Sequence, residues 1–176
     1  MNITGGIYNG QKIKAPDENI TRPTLSKVRM SVFNMLGSLI NFSGKSFLDM
    51  YSGSGIMSLE ALSRGFESAF AIEQNKKVYS VIKSNFLKYE QVHDLKLLLG
   101  DSLKVCKNLD KKFDVIYIDP PYFSGIYEKS LDAIKDIARD IVILEHVTEI
   151  AISQSFEMIK QKKYGDKYIT LLRKLI

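Results

Sequence analysis

Four consecutive residues, Asp119-Pro120-Pro121-Tyr122, have the types needed to hold and activate an exocyclic amine. Two prolines in a row fix the backbone and remove two amide donors, which leaves nearby carbonyls to accept. A base amino group carries two N–H donors and a lone pair delocalised into its ring. Acceptance of both hydrogens, by the Asp119 carboxylate and a main-chain carbonyl near Pro120, would aim the nitrogen at an electrophile. It would also stabilise the positive charge that grows during attack. Tyr122 could stack on the flat ring, an interaction worth about 1–3 kcal/mol. A proline turn with a capping aspartate would look similar in isolation, so the motif is read together with the residues upstream.

Upstream, the run Asp49-Met50-Tyr51-Ser52-Gly53-Ser54-Gly55 ends an apolar segment in a glycine turn. Gly53 and Gly55 match the opening of G-x-G-x-x-G, with Ser58 in the third glycine position. Glu73 follows Gly55 by eighteen positions, where an acid can accept from both hydroxyls of a ribose. Asp101 and Ser102 end a third apolar segment, and Asp101 can either accept from an adenine amino group or cap the helix that follows. An adenosine-containing cofactor is therefore expected. A dinucleotide would favour the third glycine and a neutral loop, whereas Asp49 puts a carboxylate beside it. That acid suits a cofactor with an α-ammonium group and a sulfonium, and S-adenosylmethionine is the expected one. No metal site is expected, since no His/Cys cluster accompanies these residues.

These residues need a scaffold that brings strand ends together. The segments 46–55, 68–75, 94–102, 113–122 and 140–146 read as apolar strands, separated by helical patterns. The last helical pattern runs from about Tyr127 to Ala138. Residues 155–175 read as two strands turning at Tyr164-Gly165-Asp166. Strands alternating with helices predict a doubly wound, seven-stranded, mostly parallel α/β sheet with an antiparallel edge strand. Ligands bind such sheets beyond the carboxyl ends of the strands. Ahead of this core, the opening stretch around Gly5-Gly6 and Asn9-Gly10 predicts a β-hairpin. Thr24 is placed to cap a helix whose Val28, Val32, Phe33, Leu36 and Leu39 share a face. One domain over 1–176 is expected, with 1–45 as an RNA-facing extension and 46–176 as the cofactor-binding core.

The chain has 176 residues and a net charge of +5. Residues 1–45 carry six Lys/Arg against Asp17 and Glu18, and residues 155–176 carry six against Glu157 and Asp166. Each end is therefore +4 and the middle −3. Basic flanks around an acidic middle suit a polyanion, because phosphate attraction supplies most sequence-independent affinity. No apolar run approaches membrane-spanning length, and the single cysteine, Cys106, cannot form an internal disulfide. A cytoplasmic monomer without membrane contact is expected. Arg22 and Arg29 are candidate contacts for phosphates or for the cofactor carboxylate, with surface salt bridging as the alternative. Glu60 and Arg64 fit a helix-surface ion pair. Glu145 and His146 should reach the rim of the site, with a structural role favoured for His146. The Lys162-Lys163 pair reads as solvated, or less often as an RNA contact.

With these motifs in view, the sequence resembles the class I methyltransferases, and more closely the RsmD family. The resemblance spans essentially the whole chain. It is carried by Gly5, Gly6 and Gly10, Arg22-Pro23-Thr24, Arg29 with Phe33-Asn34-Met35-Leu36, Leu48 to Gly55, Glu60 to Gly65, Glu73 and Asp119-Pro120-Pro121-Tyr122. The chain departs from the family at Tyr51-Ser52, where Phe-Ala is usual. The D-P-P-Y element alone is shared with DNA adenine-N6 methyltransferases, and a non-catalytic RNA-binding assembly module is a further alternative. The hairpin and Arg-Pro-Thr elements favour RsmD. That resemblance implies methylation of a guanine N2 in small-subunit (16S) ribosomal RNA, with the base flipped into the pocket.

Overall fold

Side-chain alternation along the central strands decides how the molecule is layered. The computed structural model describes residues 1–17, 24–121 and 125–176. Its strands are β1 (Ser46–Asp49), β2 (Ser68–Glu73), β3 (Asp94–Leu99), β4 (Phe113–Ile118), β5 (Ala138–His146), β6 (Phe156–Tyr164) and β7 (Lys167–Lys174). Phe47, Val115, Tyr117, Ile141 and Ile143 point to one face. There they meet α1 (Ser26–Gly37), α2 (Ile56–Ser63) and α3 (Lys76–Phe86). Leu48, Ile116, Ile118, Val142 and Leu144 point to the other face, against α4 (Ser102–Lys107) and α5 (Ile126–Ile134). A strand buried on both faces must be apolar at consecutive positions, which is why β1 and β4 carry no alternating polar pattern.

The seven strands form one sheet in the order β3-β2-β1-β4-β5-β7-β6. Strands β1 to β5 pair in parallel, and β7 runs antiparallel to both of its neighbours. The reversed strand thus lies one place in from the edge, and β6 is outermost. Composition explains the arrangement. Ile169, Leu171 and Leu172 of β7 are fully buried, whereas β6 exposes Lys160, Lys162 and Lys163. The apolar strand takes the inner place and the lysine-rich one guards the edge. Strand order reverses between β1 and β4, so the loops after these strands splay apart and leave a crevice.

Ahead of the sheet, Asn2 and Lys12 form one antiparallel bridge, flanked by hydrogen bonds from Ile3 N to Gln11 O (3.0 Å) and Ile13 N to Met1 O (2.9 Å). The expected hairpin is present in this minimal form. Helix α1 starts differently from expectation: Leu25 is its N-cap and makes no side-chain cap. The Thr24 carbonyl instead accepts from Arg29 Nη1 at 2.5 Å. Leu39 lies beyond the end of α1 and is exposed.

Arg29 also departs from the reading as a phosphate contact. Its side chain is 2% exposed, with Nε 2.9 Å from Glu60 Oε1 and Nη2 2.7 Å from Asn2 O. Glu60 is fully buried, pairs with Arg64 as well, and accepts from the Thr4 amide (2.9 Å) and hydroxyl (2.8 Å). The expected helix-surface pair is therefore a buried network beneath the N-terminal segment. It binds that segment to the core, and Arg29 has no surface to offer a phosphate.

Candidate functional site

A cleft of about 430 Å³ opens beyond the C-terminal ends of β1, β2 and β4. Asp49, the last residue of β1, forms its floor and is 1% exposed. Neither carboxylate oxygen has a hydrogen-bond partner among the described residues. Burial first, then the nearby negative charges of Asp119 and Glu73, push its pKa well above the usual carboxylate range, while Ser58 alongside offsets a part. A buried, unpaired carboxyl is costly to maintain, so a cationic partner is the group this floor fits.

The loop after β1 shapes the adjoining wall. The Ser52 amide (3.0 Å) and hydroxyl (2.8 Å) both donate to the Ile72 carbonyl, so this hydroxyl braces the loop against β2. The two glycines differ in role. At Gly53, φ is +52° and a β-carbon would meet nothing within 4 Å, so the residue supplies the turn and leaves the wall low. At Gly55, with φ +75°, a β-carbon would sit 2.8 Å from both Ile82 and Phe86. Gly55 is thus required by packing onto α3 and does not line the cleft, whereas Ser54 does.

Glu73 ends β2 half-buried at the cleft, its pKa raised by burial and partly restored by the amides of Asn75, Gly53 and Gln74. The Asn75 amide donates to Oε1 at 2.7 Å, so one oxygen is braced and the carboxylate keeps acceptor capacity for hydroxyls. Asp101 is exposed and caps α4 by accepting from Lys104 N at 3.0 Å, while buried Ser102 beside it lines the cleft. Of the two readings open for Asp101, its geometry matches the cap.

Asp119, Pro120 and Pro121 line the wall across from Glu73. Burial and the charge of Glu145 push the Asp119 pKa up to about 7, against a lowering by Lys167. Arg22 and Tyr122 lie outside the described residues. His146 is structural in this fold, with its ring nitrogens 2.7 Å from Thr148 O and Thr170 Oγ1.

The sequence reading overlooked Tyr117 and Lys167, both of which line the cleft. It set Glu145 at the rim, yet Glu145 is 1% exposed and accepts from Tyr117 Oη at 2.5 Å. An acid closing the apolar run of β5 was the available signal. Lys167 offered none, because β7 reaches the cleft only by folding back antiparallel.

The cleft therefore has an acidic, partly unpaired side that fits a cationic adenosine derivative, and a side with acceptors for an amine. This site, on a sheet ordered 3-2-1-4-5-7-6, defines a Rossmann-like class I methyltransferase. The solved structure of the Escherichia coli protein yhhF superposes with a TM-score of 0.87 at 22% identity, covering 99% of this chain and 97% of that one, a likeness of fold. The family described as "Conserved hypothetical protein 95" matches residues 1–173. The chain belongs to this family, the RsmD methyltransferases that its motifs resemble. The Bacillus subtilis protein YlbH, provisionally named an rRNA methyltransferase, is 31% identical over 97% of this chain and 91% of its own length. Ribosomal RNA small subunit methyltransferase D of Escherichia coli is 29% identical over 77% of this chain and 67% of its own.

Proposed function

We propose that this chain transfers a methyl group from S-adenosylmethionine to the exocyclic N2 amine of a guanine in small-subunit (16S) ribosomal RNA. The observation that carries the reading is a single cleft in which an unpaired buried carboxylate, Asp49, faces the same space as Asp119-Pro120-Pro121. Asp49 would accept from the α-ammonium group, Glu73 from the ribose hydroxyls, and the Gly53–Ser54 turn and Ser102 would border the nucleoside. Bound there, S-adenosylmethionine supplies a methyl carbon made electrophilic by its sulfonium. Asp119 and the Pro120 carbonyl would accept the two amine hydrogens and hold the nitrogen in line. Asp119 would then take the proton the methylated nitrogen sheds. Tyr122 would stack on the base.

The charge distribution supports an RNA substrate. Lys167 lines the cleft, and β6, which exposes Lys160, Lys162 and Lys163, ends at Tyr164, whose hydroxyl meets that of Ser31 on α1, so part of the basic C-terminal stretch lies near the mouth. Names of family relatives favour rRNA over DNA, and guanine N2 follows the RsmD resemblance. An rRNA substrate implies work in the cytoplasm.

Radiolabelled S-adenosylmethionine offered with separate pools of small subunits, naked 16S rRNA, DNA and protein tests the reading. Label is expected in the ribosomal pools as N2-methylguanosine after nucleoside digestion, and it should vanish in Asp119→Ala. Label in DNA as N6-methyladenine, or in no pool, would replace the reading.

A further inference from the structure

We infer that Glu145, held between Tyr117 and Lys167, is a positioning residue for Asp119 at the methyl-accepting end of the cleft. The inference rests on Asp119 being the amine acceptor. Glu145 sits on β5 beside β4, opposite Ile169 of β7. Its Oε2 accepts from Tyr117 Oη at 2.5 Å, its Oε1 pairs with Lys167 Nζ, and its backbone carbonyl accepts from Tyr127 Oη at 2.9 Å. Both oxygens and the main chain are thus pinned, and the carboxylate cannot swing.

β4, β7 and α5 converge on this one acid, and the β4 and β7 side also faces the cleft. Tyr117, Lys167 and Asp119 line it, and Glu145 stands behind them at 1% exposure. Well-packed apolar residues in place of a buried ionic cluster are often neutral or stabilising, so stability is a weak explanation for it. Perturbed charge clusters at a cleft more often mark function.

The groups facing Asp119 from every neighbouring strand can be named: Asp49 on β1, Glu73 on β2, Tyr117 on β4 itself, Glu145 on β5 and Lys167 on β7. Only one of these is a cation. The pair with Glu145 holds the Lys167 ammonium at the cleft wall. The two then act on Asp119 with opposite sign: the Glu145 charge opposes its ionisation and the Lys167 charge favours it. Burial raises Asp119 most, and with these two opposed charges beside it the carboxyl ionises near neutral pH, where it can hold the amine as a carboxylate and still accept its proton.

Glu145→Gln and Lys167→Met test this in full-length protein, using methyl transfer to small subunits purified from cells lacking the enzyme. Glutamine keeps oxygen and shape for Tyr117 and Lys167 but drops the charge. The acid limb of kcat/KM should move down in pH by about one unit in Glu145→Gln and up by about one unit in Lys167→Met. Affinity for S-adenosylhomocysteine should stay near that of the wild type. Destabilisation alone would lower melting temperatures without moving the limbs in opposite directions. Limbs that stay in place, or move together, overturn the inference. Undiminished turnover in Asp119→Asn would instead overturn the reading of Asp119 beneath it.

Discussion

Replacing Asp49 by asparagine should strengthen the fold and weaken the site, and the two effects are measurable separately. Asp49 is 1% exposed with both oxygens unpaired among the described residues, and its pKa stands well above the ordinary range. Asparagine preserves size and one acceptor, so what is lost is the charge. Hydrogen bonds to charged groups contribute about 1.5–3 kcal/mol against about 0.5–1.5 for neutral ones. The variant should therefore bind S-adenosylhomocysteine, which retains the α-ammonium group, about 1–2 kcal/mol more weakly, or roughly 5- to 30-fold. In the free protein the sign reverses. An unsatisfied buried polar group costs about 1–3 kcal/mol, more when charged, and the amide avoids the charged part. A gain of about 1 kcal/mol raises the melting temperature by about 2–4 °C for a chain of this size.

The pH dependence provides an internal check. Because the folded pKa of Asp49 lies above its unfolded value, the folded state binds the extra proton, and stability falls as pH rises from the unfolded carboxyl range toward the folded pKa. Asparagine does not titrate. The melting-temperature advantage of the variant should be smallest near about pH 4 and widen toward neutrality. Calorimetric titration and thermal melts across pH measure both quantities. Wild-type affinity in Asp49→Asn, or an advantage that does not grow with pH, would refute the assignment of this carboxylate as the ammonium acceptor.

Three further outcomes are expected. With Asp119 ionising near 7, kcat/KM should climb about tenfold per unit below that pH and level off above it; a flat profile from about pH 5 to 9 would reject an ionised Asp119 as acceptor. Arg29→Met leaves Glu60 buried with one cation fewer, which should cost about 3–5 kcal/mol and lower the melting temperature by about 6–20 °C while affinity for S-adenosylhomocysteine is retained. A near-unchanged melting temperature would contradict a structural Arg29. The double change Lys162→Glu with Lys163→Glu, on the exposed edge strand β6, should weaken rRNA binding and reduce its salt dependence by about one to two counterions. An unaltered salt slope would remove this edge from the RNA surface.

Much of the fold was legible along the chain because its signals are local. Apolar runs ending in glycine or acid, separated by helical periodicity, suffice to announce parallel strands with ligand-facing ends, and each of the five predicted parallel strands is present at its expected place. The placement of Asp49, Glu73 and Asp119 along one cleft was legible for the same reason, since each follows an apolar strand whose end faces the crevice. The resemblance carried by Asp119-Pro120-Pro121-Tyr122 and the N-terminal glycines added the family.

What the chain alone left open depends on distance in sequence. Arg29 looked like a surface cation, because its partners Glu60 and Asn2 are 31 and 27 residues away and only packing brings them together. Gly53 and Gly55 look equivalent two positions apart, yet α3 crowds one and open space adjoins the other. Asp101 had a cap and a ligand contact available, and only the turn into α4 aligned its carboxylate with the Lys104 amide. Lys167 pairs with Glu145 and brings its charge to bear on Asp119 because the final strand inserts backwards beside β5. Residue type specified which groups could do chemistry. The tertiary fold decided which of them share a cleft, because burial and charge proximity act through space and strand order sets who the neighbours are.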